Sequence, residues 1–197
     1  MKCVKRKIVG IGGTIGSGKT TAARYLERWG ASCVSADRLG KQILPLIAPA
    51  LKKAFGPSVM KGNRISVPLM RKAAFNSLKN TRLLNRISHP ALVSRLRTRI
   101  RRFKSGILVI DAALLFGWKD VLRDLDYMIL VSAPTHLKER RSLAKGIDKD
   151  TFWHIINVQK KERDMAKYAD FIIRNTGTIA DLKKQCRKIY QEIQHGC

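Results

Sequence analysis

The chain has 197 residues, 45% of them hydrophobic, which suits one soluble globular domain with a real core. Forty Lys and Arg stand against fourteen Asp and Glu, a formal net charge of +26, so the surface field favours anionic partners. The longest apolar run, Ile107 to Phe116, is broken by Asp111 and is far too short for a bilayer, which excludes a spanning segment.

Met1 to Lys7 is basic and precedes an apolar stretch, the outline of a secretory leader. That stretch is rich in glycine and runs straight into Lys19, so it reads instead as a first strand, Ile8 to Ile11. Gly13-Thr14-Ile15-Gly16-Ser17-Gly18-Lys19-Thr20-Thr21 follows, and then a helix with Ala22, Ala23, Leu26 and Trp29 at helical spacing. Strand, Gly-x-x-x-x-Gly-Lys-Thr and helix together form the phosphate-loop pattern. The glycines let backbone N–H groups wrap a phosphate chain, and the helix N-terminus adds partial positive charge. Lys19 is placed for the β- and γ-phosphates and the Thr20 hydroxyl for Mg²⁺. Nucleotide binding is therefore expected.

Gly30 reads as the stop of this helix, and Ala31 to Ser35 as a second strand ending at Asp37. Arg38 to Leu51 begins as a helix that Pro45 and Pro49 are expected to interrupt. Ala54-Phe55-Gly56-Pro57 is a loop signal. Val67-Pro68 opens a helix with Leu69, Ala73, Ala74 and Leu78 on one face. His89-Pro90 reads as the start of another, whose buried stripe is Leu92, Val93, Leu96, Ile100 and Phe103. Arg95, Arg97, Arg99, Arg101 and Arg102 lie off that stripe, either as a solvated face or as a nucleic-acid contact. No Asp or Glu occurs between Asp37 and Asp111.

Gly106 ends that helix, and Ile107 to Ile110 is a buried strand closing on Asp111. Tyr127 to Val131 is the next strand. Pro134 starts a helix bearing Leu137, Arg140 and Arg141, and Gly146-Ile147-Asp148 breaks it. A further helix begins near Thr151, with Ile155, Ile156 and Val158 buried. Ala169 to Ile173 is a last strand, and Ile179, Leu182, Cys186, Ile189, Tyr190 and Ile193 stripe a terminal helix. Cys3, Cys33, Cys186 and Cys197 are scattered, with no Cys-x-x-Cys pair, so neither a disulfide framework nor a zinc site is expected and the cytoplasm is the default location.

Strands alternating with helices predict an α/β fold with a parallel sheet covered on both faces. Ligands then sit beyond the carboxyl ends of the strands, which brings the phosphate loop, Asp37 and Asp111 to one rim. Asp37 is placed either to orient an acceptor hydroxyl or to cap the helix behind it. Asp111 is either a Mg²⁺ carboxylate or a turn residue. Arg140 and Arg141 belong either to a lid or to a surface helix. The chain lacks a guanine-binding Asn/Thr-Lys-x-Asp signature and is too short for a motor, which leaves a small-molecule kinase as the leading class.

The chain resembles the dephospho-CoA kinases. The resemblance runs from Ile8-Val9 through the phosphate loop to Val34-Ser35-Ala36-Asp37. It continues with Leu69 to Phe75, Leu84-Asn85-Arg86-Ile87-Ser88-His89-Pro90, Leu114-Leu115-Phe116, Gln159 and Ala169 to Gly177. It implies a three-layer P-loop NTPase fold in a single domain, 1–197, with a helical acceptor-binding lobe over 38–104 and a small lid over 136–165. It also implies transfer of phosphate from ATP to the 3′-hydroxyl of dephospho-CoA, with Mg²⁺. Asp37, Lys19 and Arg140 would be catalytic, and Asp37 and His89 would hold the acceptor. Asn175 and Gly177 would join the phosphate loop at ATP, and Thr20 and Asp111 would hold the metal. The chain departs from the family pattern at Ser35, Val67, Ala113 and Gly117. It also has Ala144 at the second lid arginine, with Lys145 beside it. The alternatives are another small-molecule P-loop kinase, or a weakened nucleotide-binding protein with a basic RNA-binding surface.

Overall fold

The computed structural model describes residues 5–159 and 161–196, so Cys3, Cys197 and the basic start at Met1 to Val4 lie outside the described residues. Five parallel strands form the central sheet in the order β2-β5-β1-β6-β7. They are β1 (Lys7–Gly12), β2 (Ser32–Ser35), β5 (Ile107–Asp111), β6 (Tyr127–Ser132) and β7 (Phe171–Arg174). β1 is the middle strand, pairing Val9 with Val109 of β5 and Ile11 with Ile129 of β6.

Alternation along these strands splits the interior in two. Ile8, Leu108, Ile110, Met128 and Leu130 face one core, shared with α2 (Ala36–Phe55), α3 (Val67–Ala74) and α4 (Leu78–Arg102). Val9, Ile11, Val109, Ile129 and Ile173 face the other, shared with α1 (Lys19–Arg28) and α9 (Ile179–His195). Coverage on both faces is why the strands read as unbroken apolar runs. The acid-poor chain spends two carboxylates on strand starts: Asp126 accepts from Ile8 N at 2.6 Å and Asp170 from Met128 N at 2.7 Å.

The helices depart from expectation at the prolines. α2 runs unbroken through Pro45 and Pro49, and α4 through Pro90, so neither the interruption after Arg38 nor a helix start at His89-Pro90 holds. All three prolines are exposed, where water can serve the carbonyl each leaves unpaired. The opposite face of α2 buries Leu39, Ile43, Ile47 and Leu51, and that burial holds the helix together. In α3 the buried residues are Met70 and Ala74, whereas Leu69 and Leu78 are exposed. A hairpin of β3 (Met60–Lys61) and β4 (Arg64–Ile65) turns at Gly62-Asn63, a pairing absent from the sequence reading. α6 (Thr135–Leu143), α7 (Lys149–Val158) and α8 (Glu162–Ala166) follow β6. In α7 only Phe152 is fully buried, and Ile155, Ile156 and Val158 are half-buried. Ile179 is 64% exposed rather than part of the α9 stripe.

Candidate active site

The phosphate loop leaves the centre of the sheet and turns into α1 at Gly18, where no side chain caps the helix. The first N–H groups of α1 are thus free for an anion. The surroundings require glycine at several loop positions, Gly16 and Gly18 among them. Gly16 has φ +73°, and a Cβ there would strike the Lys138 backbone; Gly18 has φ +100°, and a Cβ there would strike Asn175 Nδ2.

Contacts from behind fix the loop. Thr14 Oγ1 donates to Glu162 Oε1 at 2.7 Å, and Lys138 Nζ donates to the same carboxylate oxygen at 2.9 Å and to Thr14 Oγ1 at 3.1 Å. Ser132 Oγ donates to Glu162 Oε2 at 2.6 Å, and Gln159 Oε1 accepts from Ile15 N at 2.8 Å. Asn175 Nδ2 donates to Ser17 O at 2.8 Å, while Arg141 donates to Asn175 O and Oδ1 at 3.2 and 3.4 Å. The Asn175 side chain is therefore a brace under the loop, and exposed Gly177 stands against the Asp181 carboxylate.

On the open side, Thr20 Oγ1 donates to Asp111 Oδ2 at 2.8 Å. Asp111 is 6% exposed, and its Oδ1 is buried without a partner among the described residues. Burial pushes the Asp111 carboxyl above its ordinary value and Asp37 adds to this, while the Thr20 hydrogen bond, Lys19 and Arg24 oppose it. Burial likewise lowers the Lys19 ammonium; Asp111 and Asp37 pull it back up, and Lys145 lowers it further.

A cavity of about 460 Å³ opens beside Lys19 and has Asp37 in its wall. Lys41 and Arg71 also line it, so its charge is net positive against the single carboxylate. A deeper chamber of about 190 Å³ continues from Asp37 towards Asn85 and Trp118. Ser35, not Asp37, caps α2, accepting from Arg38 N at 3.4 Å, so the Asp37 carboxylate is left to the cavity. Lys19, Thr20, Asp111 and Asp37 thus share one rim.

Two expected residues stand apart. Arg140 is exposed and does not line the cavity. His89 packs edge-on to Trp118 at 5.5 Å, with Nε2 buried and unpartnered and its pKa lowered by burial. Among the departures from the family pattern, Val67 and Ala113 line the cavity, while Gly117, Ala144 and Lys145 lie outside that lining.

Sequence reasoning assigned no role to Glu162 or Lys138. The signal that points to Glu162 is scarcity: with fourteen acids in the chain, each one away from an exposed helix face merits a partner.

A glycine-rich phosphate loop on the middle strand of a parallel sheet, beside a cavity whose wall carries a carboxylate, defines a small-molecule P-loop kinase. The model of the dephospho-CoA kinase family matches residues 7–181. The dephospho-CoA kinase of Chlorobaculum tepidum is 30% identical over 98% of both chains. The crystal structure of TT1252 from Thermus thermophilus superposes with a TM-score of 0.79 at 27% identity, covering 98% of this chain and 100% of its own. Dephospho-CoA kinase from Campylobacter jejuni shares the fold, with a TM-score of 0.70 at 23% identity over 97% of this chain and 98% of its own. The chain belongs to the dephospho-CoA kinase family.

Proposed function

We propose that this chain transfers the γ-phosphoryl group of ATP to the 3′-hydroxyl of dephospho-CoA, giving coenzyme A. The observation that carries this reading is the single cavity shared by Lys19 and Asp37, in a chain of this family. The loop amides and Lys19 hold the β- and γ-phosphates, where their charge also meets that developing on the transferred group. Asp37, in the wall of the same cavity, accepts a hydrogen bond from the acceptor hydroxyl, aims it and takes its proton. Lys41 and Arg71 suit the pyrophosphate of the acceptor, and α2–α4, within 38–104, form the lobe that encloses it. In the lid region, 136–165, Lys138, Gln159 and Glu162 hold the phosphate loop, and Arg140 stands at the surface. Lys145, whose charge already acts on Lys19, supplies a point charge beside Ala144, the position where the family pattern has an arginine.

Mg²⁺ fits this donor set. The orphaned Asp111 Oδ1 and the neighbouring Thr20 hydroxyl are hard oxygens that would hold it beside the ATP phosphates. When bound there it neutralises charge on the β- and γ-phosphates. Location in the cytoplasm goes with this reading, and Cys33 and Cys186 are free thiols.

The test is ATP consumption in the presence of dephospho-CoA, set against a panel of nucleosides and other hydroxyl acceptors. Stimulation by dephospho-CoA alone is expected; stimulation by a nucleoside instead would overturn the acceptor. A second expectation concerns pH. Because the Asp111 pKa is raised, a proton competes with the metal at higher pH than at an ordinary aspartate, near 3.9. The Mg²⁺-dependent tightening of ATP binding should fade on acidification while exposed aspartates are still ionised. In Asp111→Asn it should be weak at every pH, as titration calorimetry would show.

A further inference from the structure

α9 turns a basic face outward. Lys183, Lys184, Arg187 and Lys188 are all exposed at helical spacing, opposite the buried stripe of Leu182, Cys186, Ile189 and Ile193. With Trp29 at the end of α1 they line a groove of about 680 Å³. No residue of this groove lines the Lys19–Asp37 cavity.

The groove holds an ordered stack rather than loose charge. Arg187 lies over the Trp29 ring at 5.1 Å from its centroid, and Trp29 stacks on Tyr25 at 5.9 Å and 17°. Arg28 lies over Tyr25 at 6.0 Å, so two guanidinium groups accompany the stacked pair of rings. Tyr190 anchors the stack, its hydroxyl donating to Trp29 O at 2.6 Å. Among the described residues no carboxylate forms an ion pair with Arg28, Lys183, Lys184 or Arg187. Of the acids at the border, Glu192 pairs with Lys188 of the groove at 3.9 Å, and Asp181 closes the capping box of α9.

We infer that this groove between α1 and α9 is a binding surface for single-stranded nucleic acid, separate from the kinase site. The lysines run along the helix as phosphate contacts, and the half-buried Trp29 indole with the exposed Arg187 guanidinium beside it offers a planar platform for unpaired bases. The shape favours a strand over a membrane. The Trp29 ring lies in the wall of the groove, whereas a bilayer surface calls for protruding apolar side chains.

The experiment is fluorescence anisotropy of the full chain with a labelled oligouridylate of roughly 15 nucleotides. Binding should weaken steeply with salt, and Lys184→Glu/Arg187→Glu should reduce affinity at least tenfold. Loss of two phosphate contacts should also flatten the log–log salt slope by about 1.4. Trp29→Ala should weaken binding by about fivefold or more through lost stacking. Arg95→Glu/Arg99→Glu on the exposed face of α4 serves as the charge-matched control and should leave binding within about twofold. Kinase turnover and melting temperature report that each variant is folded, and Lys184→Gln/Arg187→Gln is the milder substitute if the reversal is not.

Equal loss in the α4 control would overturn the inference in favour of diffuse attraction. Unchanged binding in Trp29→Ala beside a loss in the charge variant would overturn it in favour of a plain anion site. Tighter binding to phosphatidylserine–phosphatidylcholine vesicles, sensitive to the same variants, would overturn it in favour of a membrane surface.

Discussion

Asp37→Asn is expected to lower dephospho-CoA-dependent ATP turnover by about 10²- to 10⁴-fold, the usual contribution of a positioned general base. Asparagine keeps the size of the side chain and can still accept a hydrogen bond from the acceptor hydroxyl, but it cannot take the proton. The KM for ATP should change little, because Lys19 and the loop amides are untouched. Stability should also hold. The N-terminus of α2 is capped by Ser35, so Asp37 has no capping role to lose. A folded protein with turnover equal to the parent would remove Asp37 from the chemistry. A simple structural role would lower the melting temperature together with activity, and the two measurements separate these cases.

Glu162→Ala is expected to be the most destabilising single change near the site. Lys138 is 5% exposed, and among the described residues Glu162 is the only carboxylate that meets its ammonium. Without Glu162 a buried cation would keep only the Thr14 hydroxyl, and the Ser132 hydroxyl would lose its acceptor. Breaking a buried pair by removing one partner costs about 3–5 kcal/mol, and the partial exposure of Glu162 argues for the lower end. For a chain of this size about 3 kcal/mol corresponds to a fall in Tm of roughly 6–12 °C. ATP affinity should fall as well, since Thr14 sits in the phosphate loop. Removing both charges with Lys138→Met/Glu162→Leu should recover part of the lost stability. A calorimetric scan of the three proteins checks this, and a drop of under about 2 °C in Glu162→Ala would refute it.

The sheet is legible in the sequence because both of its faces are covered. The central strands β1, β5 and β6 are short apolar runs, and the ends of β1, β2 and β5 carry Lys19, Thr20, Asp37 and Asp111 to one rim. The long helices are less legible. A proline warns of a break, yet Pro45, Pro49 and Pro90 all face solvent, where hydration satisfies the orphaned carbonyl while the buried stripe on the far side continues. The supports of the loop follow no local pattern at all. Thr14 meets Glu162 across 148 positions and Ile15 meets Gln159 across 144, contacts made only by the packed fold. Arg140 and Arg141 show the finest limit. Adjacent residues on a helix point about 100° apart. The chain order therefore does not tell which arginine turns inward to Asn175 and which stays in water; the structure turns Arg141 inward.

The placement of the two halves of the site in the sheet has a consequence for how the protein fails. The phosphate loop springs from β1, which is flanked by β5 and β6 and almost wholly buried. Asp37 follows β2, a four-residue edge strand that is paired on one side only and partly open to water. Edge strands exchange their amide hydrogens through smaller openings than central ones do. Warming should therefore release the carboxylate while the loop still grips its ligand. Catalysis would then be lost at a lower temperature than nucleotide affinity, leaving a warmed enzyme that holds ATP without spending it.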